Sequence, residues 1–113
     1  MRSGLLLHSW AILATVARSQ TTITYSKLVD LLDWPCVPVA VGRHILEPLY
    51  RKYISGTTRP DLLAIVVRAD TGRPGWGWWS SLERGNLLNQ EERTSIWSQE
   101  LEAVWSYPWP DHP

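Results

Sequence analysis

The residues of this chain that could do chemistry are few and lie far apart in sequence. Cys36 is the single cysteine, and it lies between Pro35 and Val37 with no neighbouring histidine or lysine to activate the thiol. The histidines and the isolated acidic residues show neither metal-ligand spacing nor a paired-carboxylate pattern: His8, His44, His112, Glu47, Asp61 and Asp70. The residue types therefore predict no catalytic site, no metal and no cofactor.

Length and charge narrow the class of protein. A chain of 113 residues fits one domain, and a single cysteine suits a reducing, cytoplasmic compartment. Eleven basic and eleven acidic residues give no net charge, which disfavours a dedicated nucleic-acid binder. The charge is uneven, however: residues 1–75 carry nine basic and five acidic residues, and residues 76–113 carry two and six. The basic part predicts either a phosphate-contacting surface or a solvated face balanced by the acidic part.

Two helices are predicted in the first third of the chain. Residues 4–18 carry apolar side chains at helical spacing, which favours a core-facing helix over a signal peptide or a membrane span: Leu6, Trp10, Leu13 and Ala17. Thr24 is the expected N-cap of a second helix over 25–32, which Asp33-Trp34-Pro35 ends.

A third helix is predicted over residues 38–54 and is closed by Ser55-Gly56. Its apolar stripe contains Val41, Ile45, Leu49 and Tyr53. Pro48 lacks a backbone N–H and is expected to kink the helix.

The last third combines strand and helix signals. The β-branched run over 62–67 predicts a strand, and Trp76 to Trp79 is expected to return antiparallel to it as a hairpin. Asn89 and Glu92 have capping-box spacing for a final helix, which Tyr107-Pro108-Trp109-Pro110 ends. The order of elements is typical of an α+β, mainly helical winged helix-turn-helix with an added C-terminal helix.

Three segments carry a resemblance to a known family. Residues 23–29 (ITYSKLV), 40–43 (AVGR) and 66–72 (VVRADTG) fall in the order seen in the alkylguanine-DNA alkyltransferase family. Taken together, residues 6–79 resemble the DNA-binding domain of that family. Residues 22–25, 59–67 and 71–77 resemble more closely an alkyltransferase-like winged-helix domain of uncharacterised bacterial and phage proteins, in which a Trp-containing C-terminal helix also follows. The resemblance implies a winged-helix core over 1–80 and an acidic, Trp-rich extension over 81–113.

Two positions that the resemblance makes critical are apolar in this chain. The reactive cysteine of the family corresponds to Leu63, and the arginine finger that replaces a flipped base corresponds to Val39. The implied protein is therefore not an enzyme. Two further residues match scaffold and docking positions of the family: Tyr25, which would contact the DNA backbone, and Gly42, which would permit close approach of the third helix.

Two functions are expected from this combination. The first is non-catalytic binding of duplex DNA, with the third helix in the major groove, the hairpin wing beside it, and contacts from Tyr25, Lys27, Gly42, Arg43, His44, Arg51, Lys52, Arg68 and Arg73. The second is a protein-interaction or adaptor module, because aromatic side chains on a wing can fill a protein pocket as readily as stack on bases. That module would hold a nuclease, a defence or counter-defence complex, or a second copy of the chain through Trp76, Trp78, Trp79 and Trp109.

Overall fold

The computed structural model describes residues 2–33, 40–75, 78 and 89–113. Its elements are mainly helical, with one short sheet: α1 (Arg2–Arg18), β1 (Ile23–Thr24), α2 (Tyr25–Leu32), a π-helical turn (Gly42–Leu46), α3 (Glu47–Tyr53), a 3-10 turn (Leu62–Ile65), β2 (Val66–Val67) and α4 (Gln90–Ser106). The α+β, mainly helical class is confirmed. Within those residues, no helix is both long enough and apolar enough to span a membrane.

Helix α1 lies at the centre of the core, as its periodicity predicts. The four apolar positions of its stripe are all buried: Leu6, Trp10, Leu13 and Ala17. Ser9 is buried beside them, and its hydroxyl donates to the carbonyl of Leu5 at 2.8 Å, which satisfies the polar group inside the helix.

The boundaries of α2 follow from two local backbone signals. The Thr24 hydroxyl accepts from the Lys27 N–H at 3.1 Å, which confirms the predicted N-cap. Asp33 ends the helix in the left-handed conformation, with φ of 50°.

The predicted third helix is observed from residue 40 onward, and it contains one irregular turn. A π-helical turn precedes α3, and within it the Glu47 N–H donates to the Gly42 carbonyl five residues back. Pro48, the residue after Glu47, has no N–H to donate to a carbonyl of the preceding turn. The helix therefore widens into a π-helical turn at the point where a kink was predicted. Its stripe is buried at Val41, Ile45 and Leu49, whereas Tyr53 is half-buried.

The strand predicted over residues 62–67 is wrong over its first four residues. Only Val66 and Val67 are extended, because the Asp61 carboxylate accepts from the Leu63 N–H at 3.0 Å and thereby caps a 3-10 turn over the preceding residues. Strand β2 pairs in parallel with β1, in the register Ile23 to Val66 and Thr24 to Val67.

The return strand is also corrected at the residue that can be examined. Trp78 has helical backbone geometry, and its N–H donates to the Gly75 carbonyl at 3.1 Å. Trp76 and Trp79 lie outside the described residues, so the predicted wing is not observed in the part of the chain described here.

Helix α4 begins and ends as predicted and closes the core. The Asn89 side chain accepts from the Glu92 N–H at 2.8 Å, and the Glu92 carboxylate accepts from the Asn89 N–H at 3.1 Å, which completes the capping box. Trp97 donates its indole N–H to the Ala64 carbonyl at 2.9 Å, and Leu101 and Val104 are buried. The helix therefore packs on the 3-10 turn.

Candidate nucleic-acid interface

Four cations on the second and third helical segments are exposed. Lys27 lies in the first turn of α2, Arg43 in the π-helical turn, and Arg51 and Lys52 in the last turn of α3. The Nζ atom of Lys52 lies 5.5 Å from the centroid of the Tyr53 ring. None of the four forms an ion pair with a carboxylate of the described segments. These residues, named here the exposed cations, are therefore available to an external anion.

Two other arginines of the basic half are held by the C-terminal segment. Arg18 donates to the Trp109 carbonyl at 2.8 Å and lies 3.0 Å from the Asp111 carboxylate. Arg59 donates to the Pro113 carbonyl at 3.2 Å and to the Tyr53 carbonyl at 3.0 Å, and its guanidinium lies 5.0 Å from the Trp10 ring centroid. Both side chains contribute to packing, so they do not add to a binding surface.

The two arginines predicted on the wing also have partners within the chain. Arg68 forms a two-pronged ion pair with Asp70, with distances of 3.0 Å from Nε and 2.7 Å from Nη2, and this bond lowers the pKa of the Asp70 carboxyl. The Arg73 guanidinium faces the side-chain amide of Gln90 at the start of α4, and with the amide oxygen turned toward it, Nη2 donates to that oxygen at 3.1 Å. Arg68 is exposed and Arg73 is half-buried.

The parallel strand pair brings two predicted contact residues together. Tyr25 and Arg68 each follow directly after a paired strand residue. The Tyr25 hydroxyl accepts from the Gly75 N–H at 3.0 Å, which leaves its own proton for an acceptor elsewhere. A Cβ atom at Gly75 would lie 3.0 Å from that hydroxyl, so a larger residue there would have to displace the Tyr25 hydroxyl by a few tenths of an ångström.

Gly42 and His44 both lie in the π-helical turn. A Cβ atom built on Gly42 meets nothing within 4 Å, so this glycine does not serve close packing against the rest of the described chain. Gly42 therefore has open space beside it, and its expected role in close approach of the third helix to DNA stays a prediction. His44 is exposed on the same turn as Arg43.

The tryptophans proposed to bind a partner lie inside the fold where they are described. Trp78 is 7% exposed, and its indole N–H donates to the Asp61 carboxylate at 2.9 Å. Trp109 is 3% exposed, donates to the Val104 carbonyl at 2.7 Å, and packs edge-on against Trp10 with 5.5 Å between ring centroids. Because both indoles are buried and hydrogen-bonded, neither presents a surface to a partner, and this part of the prediction is corrected.

The environment of the Asp61 side chain was not predicted from the sequence. Asp61 is half-buried, and its carboxylate accepts from the Leu63 N–H and from Trp78, while its own N–H donates to the Glu100 carboxylate at 2.7 Å. Burial raises the pKa of Asp61 from 3.8 to about 6 against the opposing effect of the two hydrogen bonds, and the nearby Glu100 charge raises it further. The sequence signal was an acidic residue directly before an apolar run, which also fits an ordinary cap.

This buried carboxyl predicts a pH dependence of stability. The folded chain binds the Asp61 proton more tightly than the unfolded chain, so its contribution to the free energy of unfolding is largest below about pH 4. That contribution falls by about 3 kcal/mol as the pH rises from about 4 to about 6. Urea unfolding of the wild type and of Asp61→Asn across this range isolates the effect, because the other carboxyl groups titrate in both proteins. Parallel pH profiles would contradict it.

The positions that matter for alkyl transfer in the resembled family are only partly described. Leu63 is a half-buried leucine of the 3-10 turn, and Val39 and Cys36 lie outside the described residues. His8, His44 and His112 are all exposed, and the described segments bring together no group of three or more side chains that could hold a metal ion.

The described part of the site presents exposed cations on a folded scaffold. The exposed cations lie on helices whose opposite faces are buried, so the scaffold fixes their backbone positions. Comparison of the chain with protein-family models, with curated proteins and with solved structures finds no match.

Proposed function

We propose that this chain is a non-catalytic DNA-binding protein that places α3 in the major groove of a duplex. The observation that carries the proposal is a difference between two groups of basic side chains in this chain. Arg18 and Arg68 pair with carboxylates, and Arg59 and Arg73 face neutral acceptors within the chain. The four exposed cations have no carboxylate partner in the described segments, so a chain with no net charge keeps these positive charges available on its surface.

A duplex is the anion that best fits this set. Three of the four exposed cations belong to the π-helical turn and α3, and the major groove admits one α-helix between its two phosphate backbones. Arginine and lysine on such a helix reach phosphate oxygens and fix its register, and Lys27 adds a contact from α2.

The resemblance to the alkyltransferase-like winged-helix domain supports the same assignment. It gives the third helix the role of the recognition helix, and it implies binding without chemistry because Leu63 replaces the reactive cysteine. Under this proposal, the turn over residues 68–75 lies beside the duplex, where Tyr25 can donate its hydroxyl proton to a phosphate. The winged-helix architecture is part of the proposal.

The proposal predicts steeply salt-dependent binding. Four phosphate contacts give a slope of about −3.6 for log K against log salt, which is a loss of roughly 150-fold between about 50 mM and about 200 mM salt. Fluorescence anisotropy with a labelled duplex of about 20 base pairs measures it directly.

A double variant in the acidic C-terminal part of the chain serves as the control. Ser95→Glu with Gln99→Glu lowers the net charge at two exposed positions of α4 and should change affinity by less than about threefold. Absence of binding at about 50 mM salt, or a slope near zero, would overturn the proposed function.

A further inference from the structure

An acidic residue lies in the middle of the proposed recognition segment. Arg43, Glu47 and Arg51 are spaced four residues apart, and all three are exposed. Glu47 and Arg51 are neighbours on one face of α3, and Arg43 precedes Glu47 across the π-helical turn, so the three form a stripe of at most about 12 Å at up to 1.5 Å per residue. That length corresponds to three or four base pairs, at about 3.4 Å each.

The Glu47 side chain takes no part in holding the fold. Pairs of glutamate and arginine at this spacing commonly form ion pairs, yet neither Arg43 nor Arg51 lies within 4 Å of the Glu47 carboxylate, and no hydrogen bond to this carboxylate joins it to another described residue. The carboxylate is therefore free to contact a ligand.

A free carboxylate between two arginines restricts which chemical groups of a ligand this stripe can contact. Phosphate oxygens repel it, so in a duplex complex it must point away from the backbone and toward hydrogen-bond donors in the groove. The major groove offers two such donors, the N4 amino group of cytosine and the N6 amino group of adenine. Glutamate is an acceptor only, which suits cytosine N4, whereas adenine N6 lies beside the N7 acceptor and suits an amide.

We propose that Glu47 is a specificity-determining residue that accepts a hydrogen bond from the N4 amino group of cytosine. This inference rests on the proposed function and adds to it a substrate class, a duplex with a C·G pair at the centre of the α3 footprint. Arg43 and Arg51 flank that contact, and each binds a phosphate oxygen from its position.

A structural role for Glu47 gives a different expectation. An acidic residue in the first turn of α3 also interacts favourably with the helix dipole. In that case, replacing Glu47 would change the free energy of unfolding and would leave the preference among base pairs unchanged.

The test compares three labelled duplexes of equal length and about 20 base pairs, made of A·T, G·C or inosine·cytosine pairs. Inosine lacks the guanine N2 amino group, so the third duplex keeps the major-groove pattern of G·C and removes its minor-groove donor. The wild type is expected to bind the G·C and inosine·cytosine duplexes equally, and roughly five- to 150-fold more tightly than the A·T duplex.

Two variants then identify the residue responsible. Glu47→Gln should move the preference toward A·T, because glutamine binds adenine N6 and N7 together. Glu47→Ala should bind all three duplexes with equal affinity, and more tightly than the wild type binds A·T, because a negative charge is removed.

The outcomes separate this inference from the function on which it rests. Salt-dependent binding by the wild type with no preference among the duplexes overturns the role of Glu47 and leaves DNA binding in place. A preference that survives in Glu47→Ala also overturns it, and circular dichroism verifies that both variants are folded. If the wild type binds none of the duplexes, both the proposed function and the inference fail.

Discussion

Duplex binding is expected to fall by at least about a hundredfold in the double variant Arg43→Glu, Lys52→Glu at low salt. Both positions are exposed, and neither has a carboxylate partner in the described segments, so the change removes two phosphate contacts and introduces two repulsive charges. The salt dependence of the remaining binding should weaken as well, because about two counterions fewer are released. Fluorescence anisotropy across a salt series measures both quantities.

The charge-conserving double variant is the matched control for this result. Arg43→Lys with Lys52→Arg keeps two cations at the same positions, and we expect affinity within about threefold of the wild type with the same salt slope. If the Glu variant binds as tightly as the wild type while both are folded, α3 is not the DNA-contacting helix.

The largest effect on stability is expected for Trp10→Ala. Trp10 is fully buried, and its ring packs against Trp109 at 5.5 Å and Tyr53 at 5.7 Å between centroids. Its indole N–H also donates to the Pro110 carbonyl at 2.9 Å. Truncation leaves a large cavity and an unpaired carbonyl, so the free energy of unfolding should fall by about 3–5 kcal/mol, a large part of the stability of a small domain. Urea unfolding followed by circular dichroism measures the change.

Leu7→Ala on the same helix provides the comparison. Leu7 is 42% exposed, and its truncation should change the free energy of unfolding by less than about 0.5 kcal/mol. Similar losses in the two variants would contradict the central place of Trp10 in the core. A normal unfolding midpoint in Trp10→Ala would contradict it as well.

The helices were predictable because their signals are local. The apolar stripe around Trp10 defines α1, Thr24 caps α2, and Asn89 with Glu92 begins α4. Periodicity and capping act within one or two turns, so the sequence alone places these elements to within a few residues.

The strands were not predictable because their partner is distant in the chain. The run over 62–67 has the composition of a strand, and a hairpin with its nearest neighbour is the simplest pairing. In the structure, Asp61 caps a 3-10 turn there, and Val66 pairs with Ile23. Nothing local in the composition distinguishes a parallel partner more than 40 residues away from an antiparallel one nearby.

The basic side chains that can contact an anion, and the helices that carry most of them, follow from local features of the sequence. Which of these side chains have partners depends on the folded chain, because Arg18 pairs with the Asp111 carboxylate and the Arg73 guanidinium faces the neutral amide of Gln90. The same holds for tryptophan: sequence predicts a large aromatic surface, whereas the contacts of Trp78 with Asp61 and of Trp109 with Trp10 bury two members of the proposed partner surface. Pairing and burial depend on distances between remote residues, and these exist only once the chain has folded.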